Sequence, residues 1–336
     1  MRTHSTDGGV AMLPPETRVD GGAMRRIGVE LEFSGMALEE ASDVVVAALG
    51  GRVDVVSAFE HRVRETRLGD FNVEIDYQFL KQLGREANRS EDDLLHDLLP
   101  QELLADMARR IVPIEVVSPP IDMDRLAGLD AVVAGLRDAG ARGTRHSPVY
   151  AFGLHLNPEM PALDANTIAA YLRSFLCLYE WLVRVSEVDW SRRVTPYINP
   201  FPTDYVRHVL ASGYAPGLAQ LIDDYLAWNA DRNRALDMLP LFAHIDEQRV
   251  RAAIDDPRIK ARPALHYRLA NCDIDRPDWR IASAWEHWLE VERLAFDGDR
   301  LAEMSAAYSK HLDGFASRTF GDWPAQCEKW LTCGDR

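Results

Sequence analysis

The chain has 336 residues, 47% hydrophobic and 27% charged, the balance of an ordinary soluble protein with a sizeable core. Its 53 Asp and Glu outweigh 38 Lys and Arg, a formal net charge of -15 that argues against bulk binding to nucleic acid or anionic membrane, since both need positive surface. No apolar run is long enough to span a bilayer, and residues 1–22 lack the basic-then-apolar layout of a signal segment, so a cytoplasmic protein is expected. The four cysteines (Cys177, Cys272, Cys327, Cys333) form no C-x-x-C pair, and reduced structural thiols are the expectation.

Residues 1–23, rich in Gly, Pro, Thr and Asp, show no periodicity and are expected to be a disordered leader to one domain over residues 24–330. Ile27, Val29, Leu31 and Phe33 alternate with Gly28, Glu30, Glu32 and Ser34, which predicts a half-buried strand. A helix over Met36–Leu49 is stopped by Gly50 and Gly51. His61–Thr66 and Phe71–Phe79 flank Arg67-Leu68-Gly69-Asp70, the pattern of a hairpin with Gly at its turn. A helix over Glu91–Arg110, a strand over Ile111–Ser118 and a helix over Asp124–Ala139 follow. Next come a strand over Val149–Asn157 and a long amphipathic helix over Asn166–Val188. Residues 191–262 carry Pro, Asn and Tyr loops with little patterning, and are expected to supply substrate loops and short helices. A strand over Ala264–Asn271 and helices over Trp279–Phe296 and Leu301–Phe315 close the chain.

Alternating strands and a hairpin oppose a doubly wound parallel sheet. They predict an α+β fold, with a curved, mainly antiparallel sheet that is polar on one face and covered by helices on the other.

Side chains at i and i+2 of a strand lie about 6.5–7 Å apart on one face. Glu30 and Glu32 therefore share a face, as do Glu74 and Asp76, His155 and Asn157, and His266 and Arg268. Glu115 stands among Val and Ile, where a lone carboxylate is costly unless bound to something. Crowded carboxylates repel one another unless a cation neutralises them, and Mg²⁺ or Mn²⁺ prefer such oxygen ligands. Metal together with arginine around a phosphate is the equipment of phosphoryl transfer. Taken singly, each Glu-x-Glu pair is as well read as the solvated face of a sheet, and His155 as a core histidine. The repetition of the pattern on separate strands favours a site. The chain has no P-loop, no G-x-G-x-x-G, no G-x-S-x-G and no H-E-x-x-H. His287 lies beside Trp285 and Trp288 on an apolar stripe and is expected to pack.

Gly28-Val29-Glu30-Leu31-Glu32-Phe33 resembles the opening strand of the carboxylate–amine ligases related to glutamine synthetase and glutamate–cysteine ligase, above all their bacterial amidoligase branch. Four further segments resemble that branch in order: Phe71-Asn72-Val73-Glu74-Ile75-Asp76, with Phe for the usual Trp; Ile114-Glu115-Val116-Val117-Ser118-Pro119; Gly153-Leu154-His155-Leu156-Asn157; and Leu265-His266-Tyr267-Arg268. The resemblance implies a glutamine synthetase-like catalytic fold and ATP-dependent amide formation through an acyl phosphate, with ATP and Mg²⁺ (or Mn²⁺) as cofactors. Glu30, Glu32 and Glu115 would bind the ions, and His155 and Asn157 would face the nucleotide phosphates. Arg268 would hold the transferring phosphate, assisted by Arg193 or Arg192 after the long helix, and Asp76 would receive the amine. His266 departs from the pattern, standing where the family has Glu. The implied partners are a small or peptide carboxylate and an amine, with a glutamine amidotransferase or peptidase as an associated protein. A metal-dependent phosphohydrolase on the same acidic face, and a catalytically inactive binding protein, are the alternative readings.

Overall fold

The computed structural model describes residues 12–75, 113–146, 152–188, 198–314 and 321–332. The expected helix over 91–110 and three expected site residues, Asp76, Arg192 and Arg193, lie outside them. Among the described residues, nine strands form one open antiparallel sheet. In chain order the first elements are β1 (Arg26–Phe33), α1 (Leu38–Leu49), β2 (Arg52–Ser57), β3 (Glu60–Thr66), β4 (Gly69–Ile75), β5 (Ile114–Val117) and β6 (Ile121–Asp122). They continue with α2 (Asp130–Asp138), β7 (Gly153–Pro158), α3 (Ala165–Val185), α4 (Thr203–Leu210), α5 (Leu218–Asn229), β8 (Leu236–Asp237), α6 (Leu239–Ile245) and α7 (Glu247–Ala253). The last are β9 (His266–Asn271), α8 (Ile281–Ala295), α9 (Gly298–Asp313) and α10 (Trp323–Cys327).

The sheet order is β2-β3-β4-β5-β1-β7-β9-β8, with the short β6 paired to β1. This is the expected α+β fold. Period-two alternation in β1 buries Ile27, Val29, Leu31 and Phe33 and turns Glu30 and Glu32 to the opposite face. Leu31 is in register with Val116 and Leu154, and Val63 with Phe71, so the apolar faces of neighbouring strands coincide. Helix α1 covers β3 from that side, where Ser42 Oγ lies 3.0 Å from His61 Nδ1. Tyr267 of β9 meets Phe175 of α3 and Trp288 of α8 there, with ring centroids 6.2 and 5.1 Å away. His287 packs edge-on against Trp181 at 5.8 Å, as its apolar stripe predicts.

The hairpin forms as expected, with Gly69 at φ 104° closing its turn, a conformation that side chains rarely adopt. Gly51 admits the chain into β2, because a Cβ there would stand 2.2 Å from the Arg64 carbonyl oxygen. Strand β2 itself escapes the hydrophobic pattern. It is an exposed edge strand, with Val55 71% and Val56 52% exposed, so neither face is required to be apolar. The helix expected over residues 124–139 divides into a 3₁₀ segment, Met123–Leu129, followed by α2.

From residue 12 onward the expected leader makes contacts with the domain. Its unpatterned sequence has no face of its own to bury, but the domain offers it partners. Trp285 Nε1 donates to the Met12 carbonyl (2.7 Å), and Arg18 bridges to Met24. Arg25, fully buried, donates to the carbonyls of Glu16 (2.7 Å) and Glu159 (2.8 Å) and makes a two-pronged bond to Glu292 at 3.0 and 2.9 Å. Glu292 also accepts from Trp288 Nε1 (2.9 Å) and from the Tyr171 hydroxyl. One ion pair therefore ties the leader, the rim of the sheet, α3 and α8 together.

Removing one member of such a pair strands the other in the core, at a cost of about 3–5 kcal/mol. Arg25→Met and Glu292→Leu are each expected to lose stability on that scale in urea unfolding, and the two together to lose clearly less than their sum. Losses in the double variant equal to the sum of the single ones would refute the coupling.

Candidate active site

The polar face is assembled by register. Glu60 is opposite Glu74, Glu74 opposite Glu115, and Glu115 opposite Glu32, a row of four carboxylates across β3, β4, β5 and β1. Like charges directly opposite one another destabilise a sheet. The row therefore costs stability in the free protein. Beside it Glu30 is opposite His155, and Gly28 is opposite Asn157. Ile114 and Val116 turn to the core, so Glu115 leaves its apolar sequence neighbours behind and joins the acidic face.

Hydrogen bonds fix the orientation of these groups. Glu30 accepts from His155 Nδ1 (2.9 Å) and from Asn157 Nδ2 (2.8 Å). Asn157 Oδ1 in turn accepts from His266 Nδ1 (2.7 Å) and Arg262 Nη2 (2.9 Å). Since a carboxylate only accepts, His155 donates through Nδ1 and keeps its lone pair on Nε2, which lies 3.5 Å from Glu32 Oε1. The same reasoning through Asn157 gives His266 its proton on Nδ1 and its lone pair on Nε2. Glu32 accepts from the Gly153 amide at 2.6 Å.

Burial raises the Glu115 carboxyl well above the ordinary range, and the charges of Glu30 and Glu32 raise it further. Glu74 is raised too, by burial and by Glu60 and Glu30. For Glu30 burial works in the same direction, but His266, His155 and Arg262 outweigh it and hold that carboxyl well below the usual range. His266 is itself pushed down, by burial first and then by the charges of Arg268, His155 and Arg262, with Glu30 opposing.

Two donor sets have ligand atoms within 4.8 Å of one another: Glu30, His155 and His266, and Glu32, Glu115 and His155. The expected ligands are thus divided between the sets, Glu30 in one and Glu32 and Glu115 in the other. His155 and Asn157, expected to face phosphates, are bonded to Glu30, and His155 stands between the sets. Carboxylates and imidazoles at this spacing fit a divalent ion, which would also relieve the repulsion along the acidic row.

The cationic side of the site comes largely from the segment that had no readable pattern. Arg268 donates to the Arg232 carbonyl (2.7 Å), and Arg262 reaches Asn157. Arg232 is pushed down by burial and by its neighbours Arg258 and Arg268. Asp237 on the short β8 is opposite His266 and accepts from the Leu239 amide at 2.9 Å. Sequence patterning missed Arg232, Arg262 and Asp237. The only available signal was the density of arginine in a stretch without periodicity.

One face of the open antiparallel sheet of this α+β protein carries carboxylates and imidazoles spaced to fit a metal ion, with Arg268 buried and Arg232 and Arg262 half-buried nearby. The model of the family described as "Putative amidoligase enzyme" matches residues 23–290, most of the chain, and the protein belongs to that family of ligase-type enzymes. No curated protein and no solved structure matches the chain. Among the described residues no helix is long and apolar enough to cross a membrane.

Two tests follow from the electrostatics. Burial lifts Asp237 from 3.8 to about 6. Its folded value lies above its unfolded one, so the penalty is absent below about pH 4, grows between the two values and is complete above about pH 6, reaching roughly 3 kcal/mol. Asp237→Asn keeps the acceptor for Leu239 and is expected to stabilise the protein at pH 7.5 but not at pH 4, by urea unfolding at each pH. Equal effects at both would refute it. Glu115→Gln removes a repelled carboxylate. It is expected to raise the melting temperature in chelator while largely abolishing the further rise that Mn²⁺ gives the parent protein.

Proposed function

We propose that this amidoligase joins a carboxylate to an amine at the expense of ATP, through an acyl phosphate. The observation that carries the reading is the meeting of two metal-fitting donor sets, sharing His155, with the arginines of β9 and the segment before it. Glu30, Glu32, Glu115, His155 and His266 are the residues that would hold divalent ions. Such ions supply Lewis-acid charge at the nucleotide phosphates.

A substrate carboxylate oxygen attacks the γ-phosphorus of ATP and ADP departs. Arg268 and Arg232, with Arg193 or Arg192 from the sequence that follows the long helix, stabilise the charge on the transferring phosphoryl group. The amine then attacks the acyl carbon, phosphate leaves and the amide forms. An ammonium is attracted to the Glu60 and Glu74 end of the carboxylate row, and Asp76, two residues after Glu74 in the sequence, is the group assigned to take its proton. The glutamine synthetase-like relationship of the fold belongs to the same proposal.

Phosphate release from ATP is expected only when acceptor carboxylate and amine are both present, with ¹⁸O from labelled carboxylate recovered in the phosphate. Arg268→Met is expected to lower kcat about 10²–10³-fold, the scale for losing one charge-stabilising donor. Equal phosphate release without acceptors would replace the reading with a phosphohydrolase. Unchanged Mg²⁺-ATP binding in Glu30→Ala and Glu115→Ala would overturn the site itself.

A further inference from the structure

The two donor sets differ in chemical hardness. Glu32, Glu115 and His155 offer two oxygens and one nitrogen, whereas Glu30, His155 and His266 offer one oxygen and two nitrogens. Mg²⁺ takes oxygen ligands and holds its water firmly. Imidazole nitrogen instead favours first-row transition ions, with affinity rising from Mn²⁺ toward Co²⁺ and beyond.

His266 is placed to act as such a nitrogen donor. Its ring is buried, 8% exposed at the side chain, and stands edge-on to His155 with centroids 5.0 Å apart. Its Nδ1 is committed to Asn157 Oδ1 at 2.7 Å, and Asn157 is itself locked by Glu30 and Arg262. A histidine ligand whose second nitrogen donates to a fixed acceptor has its tautomer and ring plane set in advance. His155 instead bonds Glu30 itself through Nδ1 and comes within 3.5 Å of Glu32 through Nε2, so it lies between the two sets. Two imidazoles and one carboxylate converge at the β1, β7 and β9 junction, with His266 the one whose ring is fixed from outside the set. A neutral His155 has a single lone pair, so one ion at a time can use it as a full ligand. The two sets thus compete for His155, and only the set containing His266 keeps a nitrogen donor when His155 serves the other.

We propose that His266 makes this site selective for a first-row transition dication of the Mn²⁺ or Co²⁺ kind over Mg²⁺. The inference rests on the metal-dependent reading of the site and goes beyond it by assigning the class of ion and the residue that chooses it. Selection operates through the Glu30, His155 and His266 set, while the more carboxylate-rich set remains the harder of the two.

Calorimetric titration of the metal-free full-length protein with MgCl₂, MnCl₂ and CoCl₂ tests this, alongside the visible absorption of the Co²⁺ form. The parent protein is expected to bind Co²⁺ roughly a hundredfold more tightly than Mg²⁺, with Mn²⁺ between them, in the order nitrogen ligands impose. His266→Glu is expected to reduce that ratio to about tenfold or less and to shift the Co²⁺ absorption, as nitrogen is replaced by oxygen. His266→Asn keeps a donor for Asn157 and guards against a folding defect in the Glu variant. It is expected to weaken Co²⁺ while leaving Mg²⁺ unchanged. Unaltered Co²⁺ spectra and ratios in both folded variants would overturn the role of His266 and leave the metal reading standing. No binding of any of the three ions by the parent protein would overturn both.

Discussion

Strand β1 cannot slip by one residue. Its register decides at once what is buried and what is chemically available, because Ile27, Val29, Leu31 and Phe33 occupy one face and Glu30 and Glu32 the other. A slip would place two carboxylates in the core and four large apolar side chains on the reactive face. β1 also lies at the centre of the sheet, with β5 on one side and β7 on the other, so its phase is passed to both. Glu115 and His155 become neighbours of Glu32 and Glu30 for this reason alone. The core and the site are two readings of one alternation.

The reactive face carries an electrostatic conflict that the fold tolerates. A row of carboxylates crosses four strands, and Glu115 is raised by burial and by its neighbours' charges. At the opposite side Arg232, Arg258 and Arg268 crowd one another, only partly offset by Asp237 and Asp256. Like charges gather on each side, and the ion pairs there, such as Arg258 with Asp256 at 2.6 Å, offset only part of the repulsion. At the start of β1 the buried Arg25 and Glu292 pair locks the leader, sheet rim, α3 and α8 together and helps to hold the conflict in place.

Legibility in the sequence followed burial. Elements that bury one face left a period: β1, the β3–β4 hairpin, α1, α3 and α8 were readable from alternation or helical spacing. The edge strand β2 was not, since water reaches both its faces and nothing compels a pattern. The two-residue strand β8 is too short to have a period, yet it places Asp237 opposite His266. The leader looked structureless because its contacts are made through carbonyl groups, as at Met12 and Glu16, and carbonyls carry no residue identity. Arg232 and Arg262 were hidden for a related reason. They reach the site from irregular backbone, where the direction of a side chain is fixed by the fold as a whole.

By itself the sequence determined the class of fold, the ligase family through its ordered motifs, and the identity of the residues on each strand's polar face. It did so because period-two alternation is a local property, legible one strand at a time. Only the tertiary structure decided which of those faces meet. Strand pairing is a long-range choice, and it alone put Glu30 beside His155, Glu32 beside Glu115, and His266 within reach of both Glu30 and Asn157. The chemistry of each group was written locally, but the spacing that lets carboxylates and imidazoles share an ion exists only once the sheet has formed.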